Sequence, residues 1–154
     1  MRKVFHFDSP PERYSCDAAV ISCFDQRFGL ATRKFLKRKG IVRPDAITIA
    51  GGAKSLASPL GEYERTFVLE QIKLSQRLHD TRRAILVNHT DCGAYGGLAR
   101  FKGDFASESQ QHCLDLKQAA AILKQSIPDL SVECFFVAFD GVLEAEAETA
   151  DRVG

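Results

Sequence analysis

The chain lacks any long apolar run, any large excess of one charge and any internal repeat. None of its apolar runs approaches the roughly 20 residues needed to span a bilayer, so no membrane contact is expected. Its net charge is +1, which gives no indication of a nucleic-acid partner. With 45% hydrophobic and 27% charged residues, a chain of 154 residues is ordinary for a globular protein. We therefore expect one domain over residues 1–154.

A secretory signal and a disulfide framework are not indicated either. The first six residues have no apolar core of the kind found in signal peptides, which predicts a cytoplasmic protein. The five cysteines are an odd number, and in a reducing compartment they favour free thiols or metal ligands. Residues 1–14 include Ser9-Pro10-Pro11, which does not suit a strand interior, so we predict an irregular N-terminal arm.

Two strand-like segments end on side chains that can bind a metal ion. Residues 84–87 form a short apolar run followed by His89 and Cys92, and residues 19–22 form another that ends at Cys23. In an open α/β sheet, ligand sites form at the carboxyl ends of the strands. A His-x-x-Cys step at that edge lets an imidazole and a thiolate converge on one ion. Together the two segments predict a metal site.

Each half of this pattern also has a simpler interpretation. His89 and Cys92 alone would fit a strand-end histidine beside a small buried cysteine. Asp25 and Arg27, which follow Cys23, would fit an ordinary surface ion pair at the start of a helix. The metal site is favoured because both halves occur at equivalent strand ends of one chain.

The two halves together resemble a known signature. Cys-x-Asp-x-Arg followed much later by His-x-x-Cys-Gly is the signature pair of the β-class carbonic anhydrases. The chain is similar to that family from residue 18 to residue 146. The resemblance implies three zinc ligands, Cys23, His89 and Cys92. It also implies a hydrogen-bonded dyad beside the metal, formed by Asp25 and Arg27.

The activity that the resemblance implies is zinc-dependent, reversible hydration of CO2 to bicarbonate by a zinc-bound hydroxide. A Cys2His ligand set leaves the fourth tetrahedral position open, as catalytic zinc sites do. Zinc lowers the pKa of bound water from above 15 to roughly 7. Asp25 would orient the hydroxide toward CO2, and Arg27 would keep Asp25 ionised. The family also shows a resting form in which this aspartate takes the fourth position, and the sequence does not choose between the two forms.

Two alternative functions remain open at this point. The same zinc site would serve a hydrolase of COS or CS2. The other alternative is a non-catalytic zinc or thiol regulatory protein with a reactive thiolate. The family commonly has an arginine shortly before residues 50–51 and an asparagine after them, where this chain has Thr48 and Gly52. This departure leaves the substrate side of the site open.

Strands that alternate with helices predict an α/β fold with a mostly parallel sheet flanked by helices. The resemblance implies the strand order 2-1-3-4 plus an antiparallel fifth strand. In that order strands one and three are neighbours, so Cys23 would meet His89 and Cys92. The predicted strands cover residues 19–23, 45–50, 84–87, 131–139 and 142–146. The predicted helices cover residues 27–39, 59–80 and 107–125, with a loop at 98–105.

Four further residues carry weaker expectations. Asp91 lies between two predicted ligands, and we expect it to be a turn residue or a contact to the ligands. His79 is expected to interact with the C-terminal dipole of its helix. His112 is expected to be exposed. No role is predicted for Cys16.

A chain with few loop insertions would leave the site open to solvent. Attack on a small apolar molecule benefits from a shaped pocket that excludes water, and Phe24 and Phe28 are candidates for its apolar wall. The resemblance implies dimers with sites at or near the interface, so we predict a homodimer, or a tetramer built from two dimers. The surfaces proposed for this contact are residues 1–13, 132–139 and 142–145.

Overall fold

The molecule is built on one five-stranded sheet. The computed structural model describes residues 1–145, and its strands are β1 (Ala18–Ser22), β2 (Pro44–Thr48), β3 (Arg83–His89), β4 (Ser131–Val137) and β5 (Val142–Glu144). They lie in the order β2-β1-β3-β4-β5, parallel except for the antiparallel pair β4 and β5. This confirms the predicted fold class and strand order. Glu146, the last residue of the predicted fifth strand, lies outside the described residues.

Four helices and two 3-10 turns connect the strands. The helices are α1 (Gln26–Arg38), α2 (Lys54–Ala57), α3 (Glu62–His79) and α4 (Phe105–Ser126). The 3-10 turns, Gly93–Tyr95 and Leu98–Phe101, follow β3. Within residues 1–145, none of the helices combines the length and the hydropathy that crossing a membrane requires.

The helix predicted for residues 59–80 is shorter than expected. α3 begins only at Glu62, because Gly61 before it has an extended backbone with φ of −160°. The carboxylate of Glu64 accepts a hydrogen bond from the amide of Leu60 at 2.9 Å, which fixes the entry into the helix. The preceding helix α2 was not predicted, because four residues are too few to show helical periodicity.

α4 begins at Phe105 rather than at the predicted Ser107. The carboxylate of Asp104 accepts hydrogen bonds from the amides of Ala106 and Ser107 and therefore caps the helix. The loop predicted for residues 98–105 accordingly contains a 3-10 turn and the first residue of α4.

Both faces of the central strands are buried, as parallel strands require. In β1, Ala19 and Ile21 pack on the side of α2, α3 and α4. Ala18 and Val20 point the other way and pack against α1. This alternation packs β1 between two apolar layers. Cys23, which follows β1 directly, is therefore attached to a rigid element.

Candidate metal centre

The three predicted ligands lie together at the carboxyl edge of the sheet. Ser22, at the end of β1, pairs with Val87 in β3. Cys23 follows β1 directly, and His89 is the last residue of β3. Cys92 lies in the turn that precedes the first 3-10 turn. The ligand atoms of the three residues lie within 4.8 Å of one another, a spacing that suits one metal ion.

The imidazole of His89 has one nitrogen available as a ligand. Its Nδ1 lies 2.8 Å from the carbonyl oxygen of Thr90. A carbonyl oxygen only accepts hydrogen bonds, so Nδ1 carries the proton and Nε2 keeps its lone pair. Nε2 is buried and has no hydrogen-bond partner within residues 1–145. Burying such an atom without a partner is costly, and a metal ion would offset that cost.

The two thiols supply the softer donors of the site. Sγ of Cys92 lies 4.0 Å from Sγ of Cys23, and the amide of Gly51 donates to Cys23 at 3.4 Å. The hydrogen bond from Cys92 lowers the pKa of Cys23, and the same contact raises the pKa of Cys92. Cys23 is therefore the more readily ionised of the two. Two sulfur donors and one imidazole are a set that zinc accepts, so the residues present fit this metal.

Asp25 and Arg27 form a multiply hydrogen-bonded ion pair beside the ligands. Nη2 of Arg27 lies 2.7 Å from Oδ2 of Asp25, and Nε lies 3.1 Å from both carboxylate oxygens. Asp25 also caps α1 by accepting a hydrogen bond from the amide of Arg27. Hydrogen bonds from the Arg27 side chain lower the pKa of Asp25 to about 2. The carboxylate is therefore ionised at neutral pH.

Asp91 holds Arg27 from the other side of the site. Oδ2 of Asp91 lies 2.9 Å from Nη1 of Arg27, and the carbonyl oxygen of Asp91 accepts a hydrogen bond from Nη2 at 3.0 Å. Its φ of 52° is a left-handed conformation that aspartate tolerates in turns. Its Oδ1 accepts a hydrogen bond from the amide of Leu98 at 2.8 Å. Asp91 is thus a turn residue that also contacts the ion pair.

A buried carboxylate that the sequence did not single out supports this turn. Glu108 in α4 is fully buried, and its two oxygens accept hydrogen bonds from the hydroxyl of Thr90 at 2.5 Å and the amide of Asp91 at 2.6 Å. Sequence reasoning placed Glu108 only in the first turn of its helix. Glu108 lies four residues before His112 and eight before Leu116, on one face of the helix, and this spacing was the available signal that it is buried.

The prediction that His112 is exposed is wrong. The side chain is fully buried between the rings of Tyr95 and Phe136, whose centroids lie 4.0 and 5.0 Å away. Its Nδ1 accepts a hydrogen bond from the side-chain amide of Asn88 at 3.1 Å. Burial lowers the pKa of His112 to about 4, so the ring is neutral at neutral pH.

Gly52 lies where a larger residue would not fit. Its φ is 55°, and a Cβ at this position would lie 2.7 Å from the carbonyl oxygen of Val87. The next amide, that of Ala53, donates to Oδ1 of Asn88 at 3.0 Å. The glycine therefore lets the segment after β2 approach β3 closely, immediately beside the residue that contacts Cys23.

A cavity of about 240 Å³ opens beside the ligands, between α1 and the sheet. Cys23, Asp25 and His89 lie on its wall. Phe24 and Phe28 line it as well, as the sequence analysis expected, and the ring of Phe28 packs against His89 with centroids 4.7 Å apart. The site thus joins ionised and metal-binding groups to an apolar space large enough for a small molecule.

Comparison with known proteins assigns this chain to a family. The family model described as "Putative carbonic anhydrase" matches residues 14–145, and the chain belongs to this carbonic anhydrase family. An uncharacterized protein of Rickettsia bellii (strain RML369-C) is 29% identical over 128 residues, which cover 81% of this chain and 78% of the relative.

Solved structures share the fold. A carbonic anhydrase from Streptococcus mutans matches with a TM-score of 0.61 and 19% identity over 92% of this chain and 88% of its own. A tetrameric β-carbonic anhydrase from Sordaria macrospora matches with a TM-score of 0.52 and 13% identity over 85% and 81%. A carbon disulfide hydrolase matches with a TM-score of 0.52 and 16% identity over 92% and 87%. The resemblance to the β-class carbonic anhydrases is thereby confirmed.

Proposed function

We propose that this protein is a zinc-dependent carbonic anhydrase that reversibly hydrates CO2 to bicarbonate. The observation that carries the proposal is the buried Nε2 of His89, which has no partner within residues 1–145 and belongs to a cluster with Cys23 and Cys92. An ionised carboxylate, that of Asp25, lines the same cavity. Membership of the carbonic anhydrase family supports the same activity.

Cys23, His89 and Cys92 would hold the zinc ion. When bound, zinc supplies the Lewis acidity that makes a water molecule a nucleophile near neutral pH. The hydrogen bond from His89 Nδ1 to the carbonyl oxygen of Thr90 fixes the ligand ring, and the amide of Gly51 does the same for the sulfur of Cys23.

Asp25 would position the nucleophile, and Arg27 positions Asp25. The carboxylate is ionised, and its oxygens have lone pairs beyond those that bind Arg27, so it can accept a hydrogen bond from the attacking O–H group. This contact would direct the oxygen toward the carbon of CO2. In the hydration one C–O bond forms while one C=O π bond of CO2 breaks, and one O–H bond of the water breaks as its proton leaves to solvent, which gives bicarbonate.

The apolar part of the cavity would hold CO2 itself. Phe24, Phe28 and Val137 line it, and they offer no hydrogen bonds that would compete for the attacking water. Phe24 is more than half exposed, so the mouth of the cavity is open in the single chain. A small, uncharged substrate is what this lining selects.

Metal analysis combined with a CO2 hydration assay tests the proposal. Asp25→Asn should retain its zinc and lose most of the activity, whereas Cys23→Ser should lose the zinc of this site and the activity together. Asp129→Asn, at an exposed position, is the matched control and should behave as wild type. Cys23→Ser protein with full metal content and full activity would disprove the ligand assignment.

The alternative substrate is COS or CS2 on the same site. The apolar lining of the cavity would accept these molecules as well as CO2, and the fold is similar to that of a carbon disulfide hydrolase over 92% of this chain. Sulfide release from COS and CS2 should be compared with CO2 hydration by one preparation. Sulfide release without CO2 hydration would replace our assignment.

The oriented pair of Asp25 and Arg27 is evidence against a regulatory zinc or thiol protein, because such a role needs no positioned carboxylate.

We also propose that the protein is a homodimer, with a tetramer as the next possible assembly. Phe5 and Phe7 in the N-terminal arm are largely exposed, and Phe24 and Phe139 are exposed near the cavity, so a partner subunit would cover apolar surface there. Deletion of residues 1–13 should lower activity more than zinc content. Light scattering that gives 17.0 kDa for fully active protein would refute the dimer.

A further inference from the structure

A second cluster of metal-binding side chains lies at the opposite edge of the sheet. It consists of Cys16, Asp45 and His79, whose ligand atoms also lie within 4.8 Å of one another. Cys16 precedes β1, Asp45 lies near the start of β2, and His79 ends α3. At a rise of about 3.3 Å per residue, β1 separates Cys16 from Cys23 by roughly 20 Å. This cluster is therefore distinct from the candidate metal centre.

Asp45 is the middle of the cluster. Its Oδ1 lies 3.2 Å from Sγ of Cys16 and 2.9 Å from Nδ1 of His79, and its Oδ2 accepts a hydrogen bond from the hydroxyl of Ser75 at 2.7 Å. In the part of the chain that the structure describes, His79 is its one potential cationic partner within 4.0 Å. No lysine or arginine of residues 1–145 pairs with this carboxylate, so its charge faces a thiol and an imidazole, two groups of the kinds that zinc accepts as ligands.

The other side chains of the cluster are held in place by the fold. The ring of Tyr14 stacks on the imidazole of His79 with centroids 4.4 Å apart and planes at 27°. The amide of Cys16 donates to the carbonyl oxygen of His79 at 3.0 Å, which fixes the two backbones together. Three different donor types thus converge from three separate segments of the chain.

The distances are somewhat shorter than those of a tetrahedral site. Zinc bonds of about 2.3 Å to sulfur and about 2.1 Å to nitrogen and oxygen place the sulfur and oxygen ligands about 3.6 Å apart, and nitrogen and oxygen about 3.4 Å apart. The corresponding pairs, Cys16 to Asp45 and His79 to Asp45, lie 3.2 and 2.9 Å apart. Side-chain rotations that widen each pair by about half an ångström would admit the ion.

We propose that Cys16, Asp45 and His79 form a second site for zinc or another divalent transition metal. Binding breaks the S–H bond of Cys16, forms a sulfur–metal bond and releases the thiol proton to solvent. Nδ1 of His79 carries a proton because its partner, the Asp45 carboxylate, only accepts, so this proton moves to Nε2 before Nδ1 binds the ion. Ser75 keeps its hydrogen bond to Oδ2 and orients the carboxylate. The ion would join the end of the N-terminal arm, the edge strand β2 and the end of α3.

Cobalt(II) titration of the full chain, monitored by the thiolate-to-cobalt absorption and by metal analysis, tests this proposal. Wild type should bind two ions per chain. Cys16→Ser and Cys23→Ser should each bind one, because each variant loses a different site. Cys113→Ser, a change at a partly exposed cysteine outside both clusters, is the matched control and should bind two.

The proposal is wrong if Cys16→Ser binds as many ions as wild type, or if wild type binds a single ion that Cys23→Ser no longer binds. A single wild-type ion that Cys16→Ser loses and Cys23→Ser keeps would instead support this site and overturn the candidate metal centre. Loss of both ions in Cys16→Ser would indicate misfolding, and His79→Gln then decides: one ion supports the second site, and two overturn it. CO2 hydration by Cys16→Ser should equal that of wild type, so failure of the second site is distinguishable from failure of the proposed function.

Discussion

Nη1 of Arg27 lies 2.9 Å from Oδ2 of Asp91, a residue 64 positions further along the chain. The same guanidinium binds the carboxylate of Asp25 through Nε and Nη2. Arg27 therefore ties the loop after β1 to the turn after β3, which are the two segments that carry the proposed ligands. The arginine that holds the Asp25 carboxylate is thus itself held by a second carboxylate, that of Asp91, which is not part of the signature.

Asp91→Asn tests this dependence. Asparagine tolerates the left-handed backbone and still accepts the hydrogen bond from Leu98, but it removes the charge that holds Arg27. We expect kcat for CO2 hydration to fall about tenfold, which corresponds to about 1.4 kcal/mol, with zinc content unchanged.

Asp80→Asn is the control for that change. Asp80 also has a left-handed backbone, with φ of 54°, and also pairs with an arginine, Arg82, at 2.8 Å on the surface. Its replacement should leave the activity unchanged. Equal losses in the two variants would mean that the pairing of Asp91 with Arg27 has no part in the reaction.

Glu108→Ala should destabilise the whole turn that carries the site. The substitution leaves the buried hydroxyl of Thr90 and the amide of Asp91 without their acceptor, which should cost about 3–5 kcal/mol in the free energy of unfolding. Urea unfolding measures the loss. Glu70→Ala removes a carboxylate from an exposed pair with Lys73 and should have little effect. A similar, small loss in both variants would refute the supporting role of Glu108.

The order of the strands was predictable from the sequence because short apolar runs alternate with helical periodicity, and the family resemblance then fixed which strands are neighbours. That order explains why Cys23 lies near His89 and Cys92, although Cys23 is distant from both of them in the sequence. The pairing of Asp25 with Arg27 was also accessible, because two residues at the start of a helix meet locally.

The long-range contacts of Glu108, His112 and Asp45 were not predictable from the sequence. Glu108 contacts Thr90 and Asp91 across the packing of α4 on the sheet, and a single sequence does not show which buried amide a carboxylate reaches. The predicted exposure of His112 is wrong because its position on α4 faces inward, where the rings of Tyr95 and Phe136 enclose it. Asp45 binds His79 across 34 positions, and no local pattern indicates that contact.

The stability of the protein should fall at mildly acidic pH because of His112. Burial, with a smaller contribution from the charge of His89, lowers the pKa of His112 from 6.5 to about 4. Below pH 6.5 the His112 imidazole binds a proton in the unfolded chain, whereas in the folded protein it stays neutral down to about pH 4. The free energy of unfolding therefore decreases as the pH falls through that window. The full shift corresponds to about 3 kcal/mol.

His112→Gln should remove this part of the pH dependence. We expect the free energy of unfolding in urea to fall more steeply between pH 7 and pH 4.5 in wild type than in the variant. His6→Gln, at an exposed position of the arm, should retain the wild-type slope. Identical slopes in wild type and His112→Gln would show that the buried imidazole does not titrate as described.

Gly52→Ala should be costly for two reasons that a matched variant separates. At Gly52 a Cβ would meet the carbonyl oxygen of Val87 at 2.7 Å, and the backbone is left-handed, with φ of 55°. At Gly40 the backbone is also left-handed, with φ of 80°, but among the described residues 1–145, its chain neighbours apart, no atom lies within 4 Å of a Cβ. Gly40→Ala should therefore cost about 1 kcal/mol, from backbone strain alone. Gly52→Ala should cost at least about 3 kcal/mol, because the close contact adds to that strain.

Gly52→Ala should also weaken zinc binding, since Gly51 beside it donates to the sulfur of Cys23. Urea unfolding and zinc competition measure both effects, and equal costs at the two glycines would show that the chain relaxes around the new methyl group.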